Sequence, residues 1–263
     1  MVIDAERVNP PSKLLMLLEM RAFWELGAFF ASVPALRMSP RGDGHPVLVL
    51  PGLAASDIST RPLRAFLDDR GYASQGWELG RNLGPRPGVE EGMLRRLKET
   101  AQKHGRKVSL IGWSLGGAYA KILANRASEY VRQVITLGSP LTGDPSASNA
   151  RGLYEYASGK SGDDPRLRAE LRKPASVPLT SIYSRSDGIV AWQCSVEREG
   201  KETENIEVIG SHIGLGHNPA ALYAIAHRLA QPEGQWRPFR SVESHRMLYP
   251  EPDRGQRASF SVA

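Results

Sequence analysis

Residues 112–116 read Gly112-Trp113-Ser114-Leu115-Gly116. A serine hydroxyl is a weak nucleophile at neutral pH and attacks an acyl carbonyl only when a neighbouring base takes its proton. The pattern G-x-S-x-G suits that task. Small residues two before and two after the serine relieve the crowding of a strained strand-to-helix turn that holds the hydroxyl out of the chain. A β-type run, Val108-Ser109-Leu110-Ile111, precedes the serine, and a helical pattern opens at Gly116. The positive end of that helix and the backbone N–H of Leu115 suit a developing oxyanion. A carboxylate and an imidazole must complete the set. Asp187 stands in Ser184-Arg185-Ser186-Asp187-Gly188-Ile189-Val190, just after another β-type run. Asp144, Asp163 and Asp164 stand in a polar stretch and read as solvated. Two histidines compete for the base. His212 lies in Gly210-Ser211-His212-Ile213-Gly214-Leu215, and His217 stands near the start of the last helical pattern. His45, His104, His227 and His245 fall outside any motif and read as surface or structural.

The elements that must position these groups are legible from hydropathy. Short apolar runs at 47–50, 108–113, 131–137, 179–183 and 206–209 mostly stop at glycine or proline. Such runs mark strands buried on both faces. Helical patterns lie between them at 60–70, 89–104, 116–130 and 218–229, with Pro219 suited to a first turn. Strand–helix alternation implies parallel strands, right-handed crossovers and helices on both faces of the sheet. The expected fold is therefore α/β, with a mostly parallel sheet of about six strands.

Three regions depart from the alternation. Residues 1–44 form an N-terminal extension whose stretch 14–36 is apolar around most of a helical circumference, interrupted by Glu19, Arg21 and Glu25. Ser12 suits its cap and Pro34 its end or kink. It is too interrupted to span a membrane. A helix apolar all round is expected to be largely buried, against the main domain or a second copy, or else to serve as a lid or membrane-surface element. Residues 141–178, within the 45–231 domain, read as a lid-like insertion with a short charged helix near 166–171. Residues 232–263 read as an irregular tail, anchored by Trp236, Phe239, Met247, Leu248 and Tyr249.

The chain has 263 residues, 41% hydrophobic and 24% charged, and one cysteine, Cys194. These values exclude a disordered chain, an internal disulfide and a cysteine-rich zinc site. Cys194 reads as buried and structural. The net charge of +6 and pI near 9.5 come from scattered basic residues. Without a basic run or interleaved aromatics they give no case for nucleic acid. The start of the chain lacks a basic segment leading into an apolar run, so a cytoplasmic protein is expected, peripheral at most to the inner membrane surface.

With these motifs the chain resembles the α/β-hydrolase superfamily, in its bacterial lipase and esterase branch. The resemblance runs from about residue 45 to 229. Val47-Leu48-Val49-Leu50-Pro51-Gly52-Leu53 matches the strand and loop that supply an oxyanion donor there. It implies the backbone N–H of Leu53 as partner to that of Leu115. Pro51 stands where most members have histidine, which matters little if the donor is a backbone group. Asp57 or Ser59 would brace the loop. The resemblance also implies Asp187 as the acid and His212 as the base, since small bacterial lipases resemble the string His-Ile-Gly-Leu after the last strand. The implied reaction is cleavage of a carboxylic ester through an acyl-enzyme, with no metal and no organic cofactor. Trp113, Ile189, Val190, Trp192, Ile213 and Leu215 are apolar neighbours of the motifs and candidate pocket residues for a small apolar ester or lipid. The same triad would serve an acyltransferase or a deacylase of lipid-linked substrates at a membrane. A catalytically silent binding protein would have no need of the full set. Expected partners are the substrate, a membrane surface, and a second copy through the N-terminal helix.

Overall fold

The computed structural model describes residues 8–141, 147–162, 164–198, 200–239 and 248–250. Asp144, Asp163, His245, Met247 and most of the expected tail lie outside those stretches. The chain enters through α1 (Lys13–Leu18), a 3-10 turn (Glu19–Arg21) and α2 (Ala22–Leu36). The Ser12 hydroxyl caps α1 by accepting from the Leu15 N–H at 3.3 Å. Pro34 sits in the last turn of α2, which stops two residues later.

Six strands follow, with helices between them: β1 (Pro46–Leu50), α3 (Arg61–Asp69), β2 (Ala73–Gly76), α4 (Val89–His104), β3 (Val108–Trp113), α5 (Leu115–Arg126) and β4 (Val131–Leu137). Then come α6 (Arg151–Ser158), α7 (Pro165–Arg172), β5 (Leu179–Tyr183), α8 (Trp192–Ser195), β6 (Thr203–Glu207) and α9 (Pro219–Leu229). The sheet order is β2-β1-β3-β4-β5-β6, with every neighbouring pair parallel. Alternate side chains feed two cores. Val47, Val49, Ile111 and Ile135 meet α2, α3 and α9 on one face. Leu48, Leu50, Leu110 and Val134 meet α4, α5 and α7 on the other. This double burial is why β1, β3, β4 and β5 are rich in apolar and β-branched residues and buried along their whole length.

Two strands differ from expectation. β2 has the polar sequence Ala-Ser-Gln-Gly at a sheet edge, where a strand need not be apolar on both faces. β6 starts at Thr203 rather than Ile206, because its first three residues are also polar and edge-exposed. Asp164 is not simply solvated: its carboxylate caps α7 by accepting from the Arg166 N–H at 2.9 Å. His45 is structural, as expected. It is fully buried between Asp43 and Ser109, and burial pushes its pKa down to about 4.

The N-terminal helices correct one expectation. They are not largely buried. A single seam of Glu19, Ala22, Phe29 and Leu36 faces the core, with Leu26 and Val33 beside it. That is the i, i+3, i+4, i+7 spacing of one helix face. The remaining apolar side chains stay bare, Phe23 at 72% and Trp24 at 83% exposure. In the tail, Tyr249 is buried and donates to the Ala220 carbonyl at 2.8 Å, and its ring meets Phe239 edge-on. Arg228 stands over the Trp236 ring, while Leu248 is half exposed. Among the described residues, no helix is long and apolar enough to cross a membrane.

Candidate active site

Strand β3 runs directly into Ser114, and α5 begins at the next residue. Ser114 adopts φ 53° and ψ −123°, a left-side conformation that a serine takes only under constraint. The constraint is visible. The Ser114 N–H donates to the Leu137 carbonyl at 2.8 Å, and the Gly117 N–H donates to the Ser114 carbonyl at 2.9 Å. A Cβ on Gly116 would overlap the Leu50 carbonyl, and one on Gly112 the backbone of Gly116–Gly117. Gly112 lets β3 meet α5 and Gly116 lets α5 meet the end of β1, so the spacing of the motif is a packing requirement.

The loop after β1 brings Leu53 beside the serine. Leu53, Ser114 and Leu115 line one open cleft. Asn82, fully buried, holds this loop: its side-chain amide donates to the Pro51 carbonyl at 2.8 Å. Its backbone accepts from the Ala54 N–H at 2.6 Å and donates to the Ala55 carbonyl at 2.8 Å. Ala54 is bent to φ 60°. Asp57 ties the loop's far end to the segment after β2, accepting from the Trp77 and Glu78 N–H groups, each at 3.0 Å. Ser59 donates within the same turn, to the Ser56 carbonyl at 2.8 Å. The N–H groups of Leu53 and Leu115 donate to no group among the described residues.

Asp187 follows β5 and is 3% exposed. Its Oδ1 accepts from the Ile189 and Val190 N–H groups, each at 2.8 Å, and its Oδ2 lies 2.6 Å from His212 Nδ1. The first pair aims the carboxylate. The second makes Nδ1 the protonated nitrogen of a neutral ring and leaves Nε2 with its lone pair. For His212, burial is the largest single influence and disfavours the cation. The charge and hydrogen bond of Asp187 and the charge of Glu19 outweigh it, so its pKa is raised above the usual 6.5. His217 differs in both respects. Its Nε2 donates to the Ala22 carbonyl at 3.2 Å, and burial lowers its pKa. Trp113 links the two halves of the site, its indole N–H donating to the His212 carbonyl at 3.0 Å. Among the described residues no hydrogen bond joins Ser114 Oγ to His212. Such contacts often tighten only with substrate bound.

Of the apolar neighbours named from sequence, Val190 lines the cleft. Trp113 and Leu215 are buried in the core under α9, and Ile189 packs beside Ala147 and Cys194. Trp192 stacks on Tyr183 with Arg185 over its outer face, and Ile213 is half exposed. The rest of the cleft wall comes from α5 and the insertion, including Ala118, Ser148, Tyr154, Leu167 and Leu171. Cys194 is buried, as expected. Sequence reasoning also missed Asn82 and the charged groups of the N-terminal seam, Glu19, Arg21 and Glu25. The last three had a signal: they fall in line with Ala22, Leu26 and Phe29, where a helix that simply packed would carry apolar residues.

Comparison with known proteins finds lipase-like sequence and hydrolase-like folds. The class 3 lipase family model matches residues 52–156, a span that holds Leu53 and Ser114. No curated protein matches the chain by sequence. Lipase B of Aspergillus fumigatus superposes with TM-score 0.56 and 19% identity over 72% of this chain. The chain spans about half of that lipase, 52%. The lipase BlEst2 of Bacillus licheniformis, in its mature form, gives 0.53 and 18% over 74% of this chain and 95% of its own. MGS-MChE2, an alpha/beta hydrolase enzyme from a lagoon-sediment metagenome, gives 0.51 and 19% over 71% and 90%.

Proposed function

We propose that this chain, which has the α/β-hydrolase fold, is a serine hydrolase that cleaves carboxylic esters with an apolar acyl group. The observation that carries this reading is the constrained turn at Ser114, set in one cleft with two free backbone N–H groups. The buried Asp187–His212 pair on neighbouring loops adds the acid and base. His212 Nε2 takes the Ser114 proton as Oγ attacks the ester carbonyl, while Asp187 holds the tautomer and stabilises the imidazolium. The N–H groups of Leu53 and Leu115 receive the oxyanion, each worth about 3–4 kcal/mol. His212 then passes its proton to the leaving alcohol, and water repeats the sequence to free the acid.

The cleft walls support an apolar acyl group. Leu53, Leu115, Ala118, Leu167, Leu171 and Val190 outnumber the polar groups there. The insertion, through α6 and α7, supplies part of the wall and so stands where a cover over the substrate would stand. The test is hydrolysis of p-nitrophenyl esters of graded chain length by the whole chain, together with labelling by a fluorophosphonate. Turnover and labelling are expected. Rates no higher than buffer for every chain length would reject the reading.

α1 and α2 meet the acid and base loops through their buried seam, while their other apolar side chains stay bare and Lys13, Arg37 and Arg41 are exposed along the same segment. With a net charge of +6, this surface suits an anionic lipid bilayer that also holds the substrate. The protein is expected to float with vesicles containing phosphatidylglycerol. A Phe23→Asp/Trp24→Asp variant should float several-fold less, since both rings lose their place in the interface. Equal flotation of the two proteins would reject the contact. A mass of two chains in sedimentation, with no flotation, would assign the face to a dimer instead.

A further inference from the structure

The carboxylate of Glu19 is left without a task by the catalytic scheme, yet it is among the most connected groups near the site. It sits in the 3-10 turn between α1 and α2 and is 4% exposed. Its partners are backbone N–H groups. Oε1 accepts from Gly188 at 2.8 Å and from His212 at 3.0 Å, and Oε2 accepts from Ile213 at 2.9 Å. Gly188 is the residue after the acid, and His212 is the base itself. One side chain therefore bridges the loop after β5 to the loop after β6.

Its neighbours on the same seam extend the bridge. Arg21 donates to the Ser186 carbonyl at 2.8 Å and to the Ser186 hydroxyl at 2.9 Å. Glu25 accepts from the Ser211 N–H at 2.8 Å and from the Ser211 hydroxyl at 2.5 Å, and it pairs with Arg21 at 3.2 Å. The residues on both sides of Asp187 and of His212 are thus held by the N-terminal segment. The approach is close enough that a Cβ on Gly188 would overlap the Leu15 carbonyl. An apolar side chain would fill this seam at no desolvation cost, as Ala22, Phe29 and Leu36 do. A buried carboxylate is tolerable only where donors meet its oxygens, and is useful where its fixed geometry and charge act on something.

We propose that Glu19 is a positioning residue of the reaction: it locks the acid and base loops into one unit that presents His212 Nε2 to Ser114, and its charge supports the imidazolium. The charged and titratable groups around His212 are Asp187 on the acid loop, Glu19 on the 3-10 turn, and His217 on the turn that follows the base. Glu25 and Arg21 stand one residue further off, at Ser211 and Ser186. The inference rests on the serine-hydrolase reading above and adds a part to it.

The test compares the whole chain with Glu19→Gln and Glu19→Asp, with rates normalised to sites titrated by a fluorophosphonate. Glutamine offers one acceptor oxygen and no charge, so it loses at least one of the three bonds and the field at the imidazole. A fall in kcat on the order of 10²-fold is expected, with KM little changed. The acid limb of kcat/KM should move to lower pH, because removing a nearby anion makes the imidazolium easier to deprotonate. Aspartate keeps the charge but is one methylene too short to span both loops. It should lower kcat while leaving the acid limb near that of wild type. A merely structural role would lower Tm and leave normalised kcat and the limb alone, and that result would overturn the proposal. If Glu19→Gln does not fold, Glu19→Asp decides, and an unchanged kcat per titrated site overturns it. An NMR titration of the His212 imidazole reads the same shift without turnover. An inactive wild type therefore defeats the hydrolase reading, whereas an active one indifferent to Glu19 defeats the bridge alone.

Discussion

Ser114→Ala should cut kcat/KM on nitrophenyl esters by at least ~10³-fold and abolish fluorophosphonate labelling, with the fold intact. The separation of activity from stability follows from the geometry. Ser114 Oγ forms no hydrogen bond among the described residues, so its removal orphans no buried partner. The backbone bonds that hold the turn, to Leu137 and Gly117, belong to main-chain atoms and survive the substitution. Alanine tolerates φ 53° about as poorly as serine does, so the strain is common to both proteins and cancels. What the mutant loses is the nucleophile alone. The N–H groups of Leu53 and Leu115 and the apolar cleft remain, and a small residual rate above buffer is their expected trace. Equal rates for the two proteins would mean that the esters are cleaved elsewhere, and the hydrolase assignment would fall.

How much of this was legible in the residues follows from what each element must bury. The four central strands could be read because both of their faces meet helices, which favours runs rich in apolar and β-branched residues. β2 could not, because Ala73–Gly76 is short, polar and at the sheet edge, where no such demand exists. The serine turn was legible for a steric reason: Gly112 is required where β3 meets α5, and Gly116 where α5 meets the end of β1. The cleft wall was not. Trp113 and Leu215 are apolar because they pack in the core behind the motifs, while Tyr154, Leu167 and Leu171 reach the cleft from short helices of the insertion, which share no sequence motif with the serine turn. The N-terminal segment misled in the other direction. Apolarity around the whole helix suggests burial, yet only one seam is buried, and its most consequential members are charged. Glu19, Arg21 and Glu25 look like interruptions when the stretch is judged by hydropathy. Their partners are backbone groups some 160–190 positions away in the chain, which no local pattern announces.

His212→Ala should lose as much activity as the serine variant, ~10³-fold or more, and combining the two substitutions should cost little further. Nucleophile and base act as one unit, so removing either leaves the other without a function. His217→Ala should keep most of the wild-type kcat and pay in stability, by about 1–2 kcal/mol for the hydrogen bond to the Ala22 carbonyl and the contacts around the ring. The pH profile adds a second discriminator. The base works only when neutral, so kcat/KM should fall about tenfold per pH unit below the pKa of the free enzyme's base. For His212 that pKa is raised above 6.5, since Asp187 and Glu19 overcome the effect of burial. For His217 burial lowers it. An acid limb centred above pH 6.5 therefore points to His212, and one centred below it to His217. The limb should persist in His217→Ala, because that ring contributes no proton transfer. If instead His217→Ala is inactive and His212→Ala retains turnover, the base must be reassigned. The 2.6 Å contact between His212 and Asp187 would then be a structural pair.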